Sequence, residues 1–177
     1  MHEVIIAGFG GQGVLVMGQL LAAAAMLEQK HVTWFPSYGP EQRGGTCNCS
    51  VIISDREIGS PIVTEPDAAV IMNFPSLEKF EHRIRPGGLL VYNSSLIDAK
   101  PKREDLQIVA VPATAEAERI GSVRTANIIA LGALMEATGI VKEASIAASF
   151  QMVLPSRHHH LIALNMQALT CGRQYHQ

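Results

Sequence analysis

Charge is scarce in this 177-residue sequence: Asp, Glu, Lys and Arg make up 17% of it, against about 25% in an average soluble domain. The few charges nearly cancel, leaving a formal net charge of -2. With no basic cluster, a dedicated nucleic-acid-binding surface is excluded. A disordered chain is excluded as well, because 47% of the residues are hydrophobic and the net charge is small. Cysteine is sparse. Cys47, Cys49 and Cys171 are the only three, an odd count that argues against a disulfide scaffold and for a reducing compartment. They are also one short of a four-cysteine iron–sulfur site. No run spans a bilayer: the longest apolar stretch, Val14 to Leu27, contains Gly18 and Gln19 and falls short of the ~20 residues required. Met1-His2-Glu3 lacks the basic region of a secretory signal. The expectation is a soluble cytoplasmic protein with neither a membrane span nor a nucleic-acid partner. Familiar catalytic motifs are missing too, since no H-E-x-x-H, no G-x-S-x-G and no Walker lysine occurs. A surface short of charge suits a subunit that hides area against partners or self-associates when isolated, and a compact monomer stays open as an alternative.

The length matches one domain, residues 1–177. Short β-like runs alternate with helical patterns. Val4 to Ala7 is a wholly apolar run suited to a central strand. A glycine-rich turn, Gly8 to Gly13, follows, and Val14 to Gln29 reads as a helix apolar nearly all round, hence buried. Val32 to Phe35 and Thr46 to Ser54 are strand-like, and Ile58 to Val63 offers a hairpin partner for the second across the charged turn Asp55-Arg56-Glu57. Further strands are expected at Ala68 to Met72, Leu89 to Tyr92 and Ile108 to Val111. Pro75 sits near the first turn of a short helix that stops at Pro86-Gly87-Gly88. Thr114 is read as the cap of a helix ended by Gly121, and Thr125 to Thr138 as an apolar helix closed by Gly139. Glu143 to Met152 and a last helix from a Ser156 cap to Gly172 complete the chain. This alternation predicts a three-layer α/β/α fold with a mainly parallel sheet, an antiparallel hairpin and a Rossmann-like opening.

Gly8-Phe9-Gly10-Gly11-Gln12-Gly13 fits G-x-G-x-x-G between a strand and a helix. That context turns backbone N–H groups and a helix N-terminus toward an anion. Dinucleotide binding also wants an acid at the end of the second strand, where Thr33-Trp34-Phe35-Pro36 has none. An anion or nucleotide-tail site and plain turn packing therefore stand beside it. The loop Tyr38-Gly39-Pro40-Glu41-Gln42-Arg43-Gly44-Gly45 joins an aromatic, an acid and a base to three glycines. Arg43, Gly44 and Gly45 could offer a guanidinium and backbone donors to a carboxylate or phosphate, or the loop could dock a partner with Glu41 and Arg43 paired. Gly10, Gly11, Gln12, Gly13, Arg43, Gly44 and Gly45 are thus the candidate anion or interface positions. Cys47 and Cys49 share one strand face and read as buried small hydrophobes. His158-His159-His160 cannot converge on one metal from a helix and reads as a solvated helix start. Asp98 to Asp105 reads as a solvated turn. No complete catalytic set and no metal site emerges.

At this point the motifs resemble a known family. Gly8 to Val14, then Tyr38 to Gly45 with Cys49 and the strand to Ser54, then Ser60-Pro61-Ile62-Val63 with Pro66-Asp67, and finally Thr125-Ala126-Asn127-Ile128-Ile129-Ala130-Leu131-Gly132 are similar to the gamma subunit of 2-oxoacid:ferredoxin oxidoreductases. The resemblance covers essentially the whole chain. It implies an accessory subunit of an enzyme that converts a 2-oxoacid and coenzyme A to acyl-coenzyme A and carbon dioxide while reducing ferredoxin. It implies alpha, beta and ferredoxin-like partner subunits, which hold thiamine diphosphate, magnesium and the iron–sulfur clusters, with no cofactor bound by this chain alone and an isolated chain without activity. Indolepyruvate oxidoreductase small subunits usually carry His-Gly where this sequence has Tyr38-Gly39, so the resemblance leans to the 2-oxoglutarate, pyruvate and branched-chain groups, and among them to 2-oxoglutarate. A stand-alone nucleotide- or dinucleotide-binding module and an indolepyruvate enzyme's small subunit are the alternatives.

Overall fold

The computed structural model describes residues 1–38 and 46–176. The first strand, β1 (His2–Phe9), buries five consecutive residues, as a strand covered on both faces must. The glycine turn leads into α1 (Val14–Leu27), whose Ala22 to Ala25 stretch is wholly buried. Then come β2 (His31–Tyr38), β3 (Thr46–Ser54) and β4 (Ala68–Ile71). The short α2 (Phe74–Phe80) carries Pro75 in its first turn, where a missing N–H costs nothing, and Asn73 caps it by accepting from Ser76 N–H at 2.9 Å. β5 (Leu89–Asn93), β6 (Gln107–Val111) and α3 (Ala113–Arg119) follow. α4 (Ala126–Thr138) ends on Gly139, which adopts φ 59°. α5 (Glu143–Val153), a 3-10 segment (Ser156–Leu161) and α6 (Ile162–Gly172) finish the described chain. No helix among the described residues is long and apolar enough to cross a membrane.

Six strands form one sheet in the order β2-β3-β1-β4-β5-β6. β1, β4, β5 and β6 pair parallel. β3 alone is reversed, pairing antiparallel with β1 on one side (Ile6 opposite Cys49) and with β2 on the other (Phe35 opposite Ser50). The mainly parallel α/β expectation is met, but the antiparallel partner is not the expected one. Ile58 to Val63 forms no strand. Gly59 and Pro61 interrupt that run, and β3 has both its edges filled by β1 and β2.

Alternation along the strands divides the core in two. Val4, Ile6, Cys49, Val51, Val70, Val91 and Val109 face α1 and α4, with α5 and α6 packed alongside those helices. Ile5, Ala7, Ile52, Ala69, Ile71 and Leu90 face the other way and are covered by Leu77 and Phe80 of α2, by Ile84, and by Val63, Ile97 and Leu106 from connections. The three layers are therefore unequal, with α1, α3, α4, α5 and α6 on one face against the short α2 on the other. α4 and α6 cross at backbone contact. A Cβ on Gly172 would collide with the Ile129 carbonyl, and one on Gly132 with the Leu169 carbonyl.

Two local expectations are corrected. Thr114 does not cap α3: the helix starts at Ala113 after Pro112, and Thr114 Oγ1 instead accepts from Asn93 Nδ2 at 2.9 Å. Asp98 to Asp105 is solvated as expected, with Asp98, Lys100, Lys102, Glu104 and Asp105 exposed, and its backbone is anchored, because the buried Glu81 carboxylate accepts the backbone N–H groups of Lys102 and Arg103, the latter at 2.8 Å. Ser156 does not cap a helix, and His158, His159 and His160 lie in a 3-10 segment where His158 and His159 are half-buried. His159 Nε2 lies 2.9 Å from the Leu154 carbonyl.

Candidate functional site

The connection after β1 places α1 on the thick face, whereas the one after β4 places α2 on the thin face. The chain thus changes direction between β1 and β4, and at their carboxyl ends such sheets open a crevice. Here it measures about 350 Å³ and is lined by Gly11 and Gln12 after β1, Met72 after β4, Asn93 and Leu96 at the end of β5, Thr114 of α3, and Val123, Arg124 and Ala126 before and within α4.

The turn shows why its residues are what they are. Gly11 (φ 96°) and Gly13 (φ 73°) hold backbone conformations that other residues adopt only with strain. Gly8 is needed for packing: a Cβ there would meet Gln12 Oε1 at 2.6 Å and Met72 Cβ at 2.9 Å. Gly10 has neither reason, and both it and Gly11 face open space. Gln12 locks the turn. Its Oε1 accepts from Phe9 N–H at 2.6 Å and its Nε2 donates to the Met72 carbonyl at 3.2 Å, which ties the end of β1 to the residue after β4.

Two helix N-termini meet beside this turn. α1 begins at Gly13 with no capping side chain and no acid in its first turn. α4 begins after Thr125, also with neither, because the Thr125 hydroxyl is spent on the Ser122 carbonyl at 2.8 Å. Asn127 joins them by donating through Nδ2 to the Gly13 carbonyl at 3.1 Å. It is buried at 5% exposure, and its Oδ1 has no partner. Exposed Arg124 makes no ion pair or side-chain hydrogen bond among the described residues. Partial positive charge from two uncapped helix ends, open glycine amides and a free guanidinium make an anion-accepting corner. On the opposite wall, fully buried Asn93 pins β5 to α3 through Thr114.

Of the residues singled out from sequence, Gly10, Gly11, Gln12 and Gly13 come together here. Arg43, Gly44 and Gly45 lie outside the described residues, as does a pairing of Glu41 with Arg43. The strands flanking that segment end at the same sheet edge, since Tyr38 pairs with Cys47 and Cys47 with Gly8. Arg124, Asn127, Asn93 and Thr114 gained no functional role from the sequence reading. The usable signal was Asn127, one amide near the start of an otherwise apolar helix.

Among the described residues the crevice lining contains no carboxylate, thiol or imidazole, so these walls offer recognition rather than acid–base or nucleophilic chemistry. Neither strand cysteine has an activated thiolate. Burial pushes the Cys49 thiol up to about 12 and raises that of half-buried Cys47. Among the described residues no three His, Cys, Asp or Glu side chains converge as metal ligands.

Comparison with known proteins places this architecture. A family model described as pyruvate ferredoxin/flavodoxin oxidoreductase matches residues 3–175. Ketoisovalerate oxidoreductase subunit VorA of Methanothermobacter marburgensis is 42% identical over 175 residues, 98% of this chain but 36% of its own length, so the chain spans about a third of that relative. The 2-oxoglutarate synthase subunit KorC of Methanothermobacter thermautotrophicus is 36% identical over 179 residues, covering 97% of this chain and 93% of KorC. The solved keto/oxoacid ferredoxin oxidoreductase gamma subunit from Geobacter sulfurreducens superposes with a TM-score of 0.84 at 30% identity, over 98% of this chain and 97% of that one. With its glycine turn, inserted antiparallel strand and nearly whole length accounted for by these matches, the chain belongs to the pyruvate ferredoxin/flavodoxin oxidoreductase family.

Proposed function

We propose that this chain is the gamma-type subunit of a cytoplasmic 2-oxoacid:ferredoxin oxidoreductase. It would assemble with alpha, beta and ferredoxin-like subunits that convert a 2-oxoacid and coenzyme A to acyl-coenzyme A, carbon dioxide and reduced ferredoxin. The observation that carries this reading is the match with KorC, a relative named as a subunit, at 36% identity over 97% of this chain. The composition of the crevice supports it: walls that bind but do not transform belong in an assembly whose chemistry is done elsewhere.

Fit to the cofactors of such an enzyme differs by group. Thiamine diphosphate with magnesium needs an oxygen-ligand set, and the crevice walls supply no carboxylate. Three cysteines, of which Cys49 and Cys171 are buried and lie on separate core elements, do not form a cluster cage. One anionic group does fit. The backbone donors of Gly10, Gly11, Gln12 and Gly13 with Arg124 would hold a phosphate such as those of coenzyme A, and Arg43, Gly44 and Gly45 would complete that site or meet a neighbouring subunit. The part of this chain is to orient and neutralise that group.

Relatives named 2-oxoglutarate synthase subunit KorC favour 2-oxoglutarate, and the higher identity to VorA favours ketoisovalerate as the second reading. Anaerobic native pull-down of the full chain from its own cells, followed by oxoacid- and coenzyme A-dependent reduction of a viologen dye, tests the assignment. Co-purifying thiamine-dependent and iron–sulfur partners with activity are expected, and a panel of oxoacids names the substrate. A chain recovered without partners and without activity overturns the reading. In the assembled enzyme, Arg43→Ala is expected to lower turnover while the complex stays together. Dissociation of the complex would assign the loop to the interface instead.

A further inference from the structure

A second cavity, separate from the crevice floor, opens on the other side of Arg124. It is about 460 Å³ and lies among the first turns of α1 and α4, the end of α5, the 3-10 segment Ser156–Leu161 and the start of α6. That volume lies within the roughly 300–1,000 Å³ of small-molecule sites. Val16, Leu20, Ile128, Phe150, Leu161 and Leu164 make its walls apolar. Leu20 and Phe150 are fully buried at its floor, so the cleft reaches the core rather than grazing the surface. Its polar groups are few: Ser122, Thr125, Asn165, His158, Asn127 and, at the rim, Arg124. Asn165 spends its Nδ2 on the Leu161 carbonyl at 2.9 Å, which fixes the lip of the cleft. No acidic residue appears among the described lining.

An apolar chamber with one guanidinium at its mouth, unpaired among the described residues, selects a molecule of the complementary build. From this juxtaposition we propose that the cleft binds an amphipathic carboxylate, its hydrocarbon body among Leu20, Ile128, Phe150 and Leu164 and its carboxylate on Arg124. The charge at the rim excludes a cation and gives a neutral apolar molecule no anchor. The depth of the floor means that hydrocarbon, rather than the headgroup alone, contributes to affinity. The apolar walls of this cleft are not those of the crevice, but Arg124 lines both, so a carboxylate here and a phosphate in the crevice would compete for one guanidinium.

Titration calorimetry of the full chain with hexanoate, octanoate and 1-octanol tests it. Octanoate is expected to bind one per chain and about fifteenfold more tightly than hexanoate, since each of its two extra buried methylenes contributes about fourfold. Octanol is expected to bind at least tenfold more weakly than octanoate. Arg124→Gln should cost octanoate at least tenfold, and Leu164→Trp, which fills the chamber, should abolish binding. Nuclear Overhauser contacts from the octanoate methyl to the Phe150 ring in the unaltered chain keep the test decisive if Leu164→Trp does not fold. Non-saturable binding, equal affinity for octanol, or absence of contacts to Phe150 overturns the proposal. So does octanoate binding that survives in a folded Leu164→Trp variant.

Discussion

Replacing Gly13 by alanine strikes the joint between the two helix N-termini, and its cost can be worked from the geometry. Gly13 holds φ 73°, a conformation that costs an alanine about 1–2 kcal/mol. Its new Cβ would also lie 2.8 Å from Asn127 Cγ, so the buried amide must move and its 3.1 Å hydrogen bond to the Gly13 carbonyl is lost, worth about 1 kcal/mol. Together the expected loss is about 2–3 kcal/mol. For a chain of this size that lowers the midpoint of melting by roughly 4–12 °C. Urea denaturation followed by circular dichroism measures it. A double-mutant cycle isolates the steric part: Asn127→Ala removes the obstructing amide, so the Gly13→Ala, Asn127→Ala pair should cost at least about 1 kcal/mol less than the sum of the singles. Additivity to within about 0.5 kcal/mol, or a Gly13→Ala variant as stable as the parent, would refute the account of this joint.

Gly172→Ala should destabilise by about 3 kcal/mol, because overpacking must push two helix backbones apart. Gly59→Ala, which meets nothing, should stay within about 0.5 kcal/mol of the parent; equal denaturation midpoints for the two variants would sink the argument. Iodoacetamide at pH 8 should label Cys47 well before Cys49, whose burial holds its thiol at about 12, and mass spectrometry showing Cys49 modified first in the folded chain would contradict that. Glu116 is held below the ordinary 4.5 first by its hydrogen bond to Arg119 and next by that to Cys171. Its lowered folded value contributes stability present above pH 4.5 and lost as the pH falls through the folded value. The deficit of Glu116→Gln should therefore shrink under acid, and a deficit unchanged down to pH 3 would be the contrary result.

Local signals carried much of the fold. The wholly apolar Val4 to Ala7, the glycine turn and the apolar helix after it needed no tertiary information, nor did the helix closed by Gly139. What failed were choices made at a distance. β3 finds β1 and β2 rather than its sequence neighbour, and nothing in Ile58 to Val63 announces that those edges are already occupied. Thr114 has the chemistry of a cap, but a buried asparagine from β5 claims its hydroxyl. Glu81 drew no reading from the sequence, because the backbone N–H groups it accepts belong to Lys102 and Arg103, more than twenty residues on. The site divides likewise. Gly10 to Gly13 were legible because their conformation is local, whereas Asn127 reaches Gly13 across 114 residues of sequence. Arg124 becomes part of the corner only once α4 lies beside α1.

The reversed strand β3 has a consequence for how the chain is made. β1 and β2 run the same way one strand apart, leaving between them a slot of about 10 Å. The segment that fills it, Thr46 to Ser54, emerges after both. At roughly 5–20 residues per second the ribosome takes about one to three seconds to deliver it once Tyr38 is out. Through that interval β1 and β2 have no ladder to each other, and β4 has yet to be made. A nascent chain halted at residue 45 holds two strands facing an empty slot, and nine more residues turn them into half a sheet. The two parallel strands made first are thus joined only by the third to be made, which points the other way.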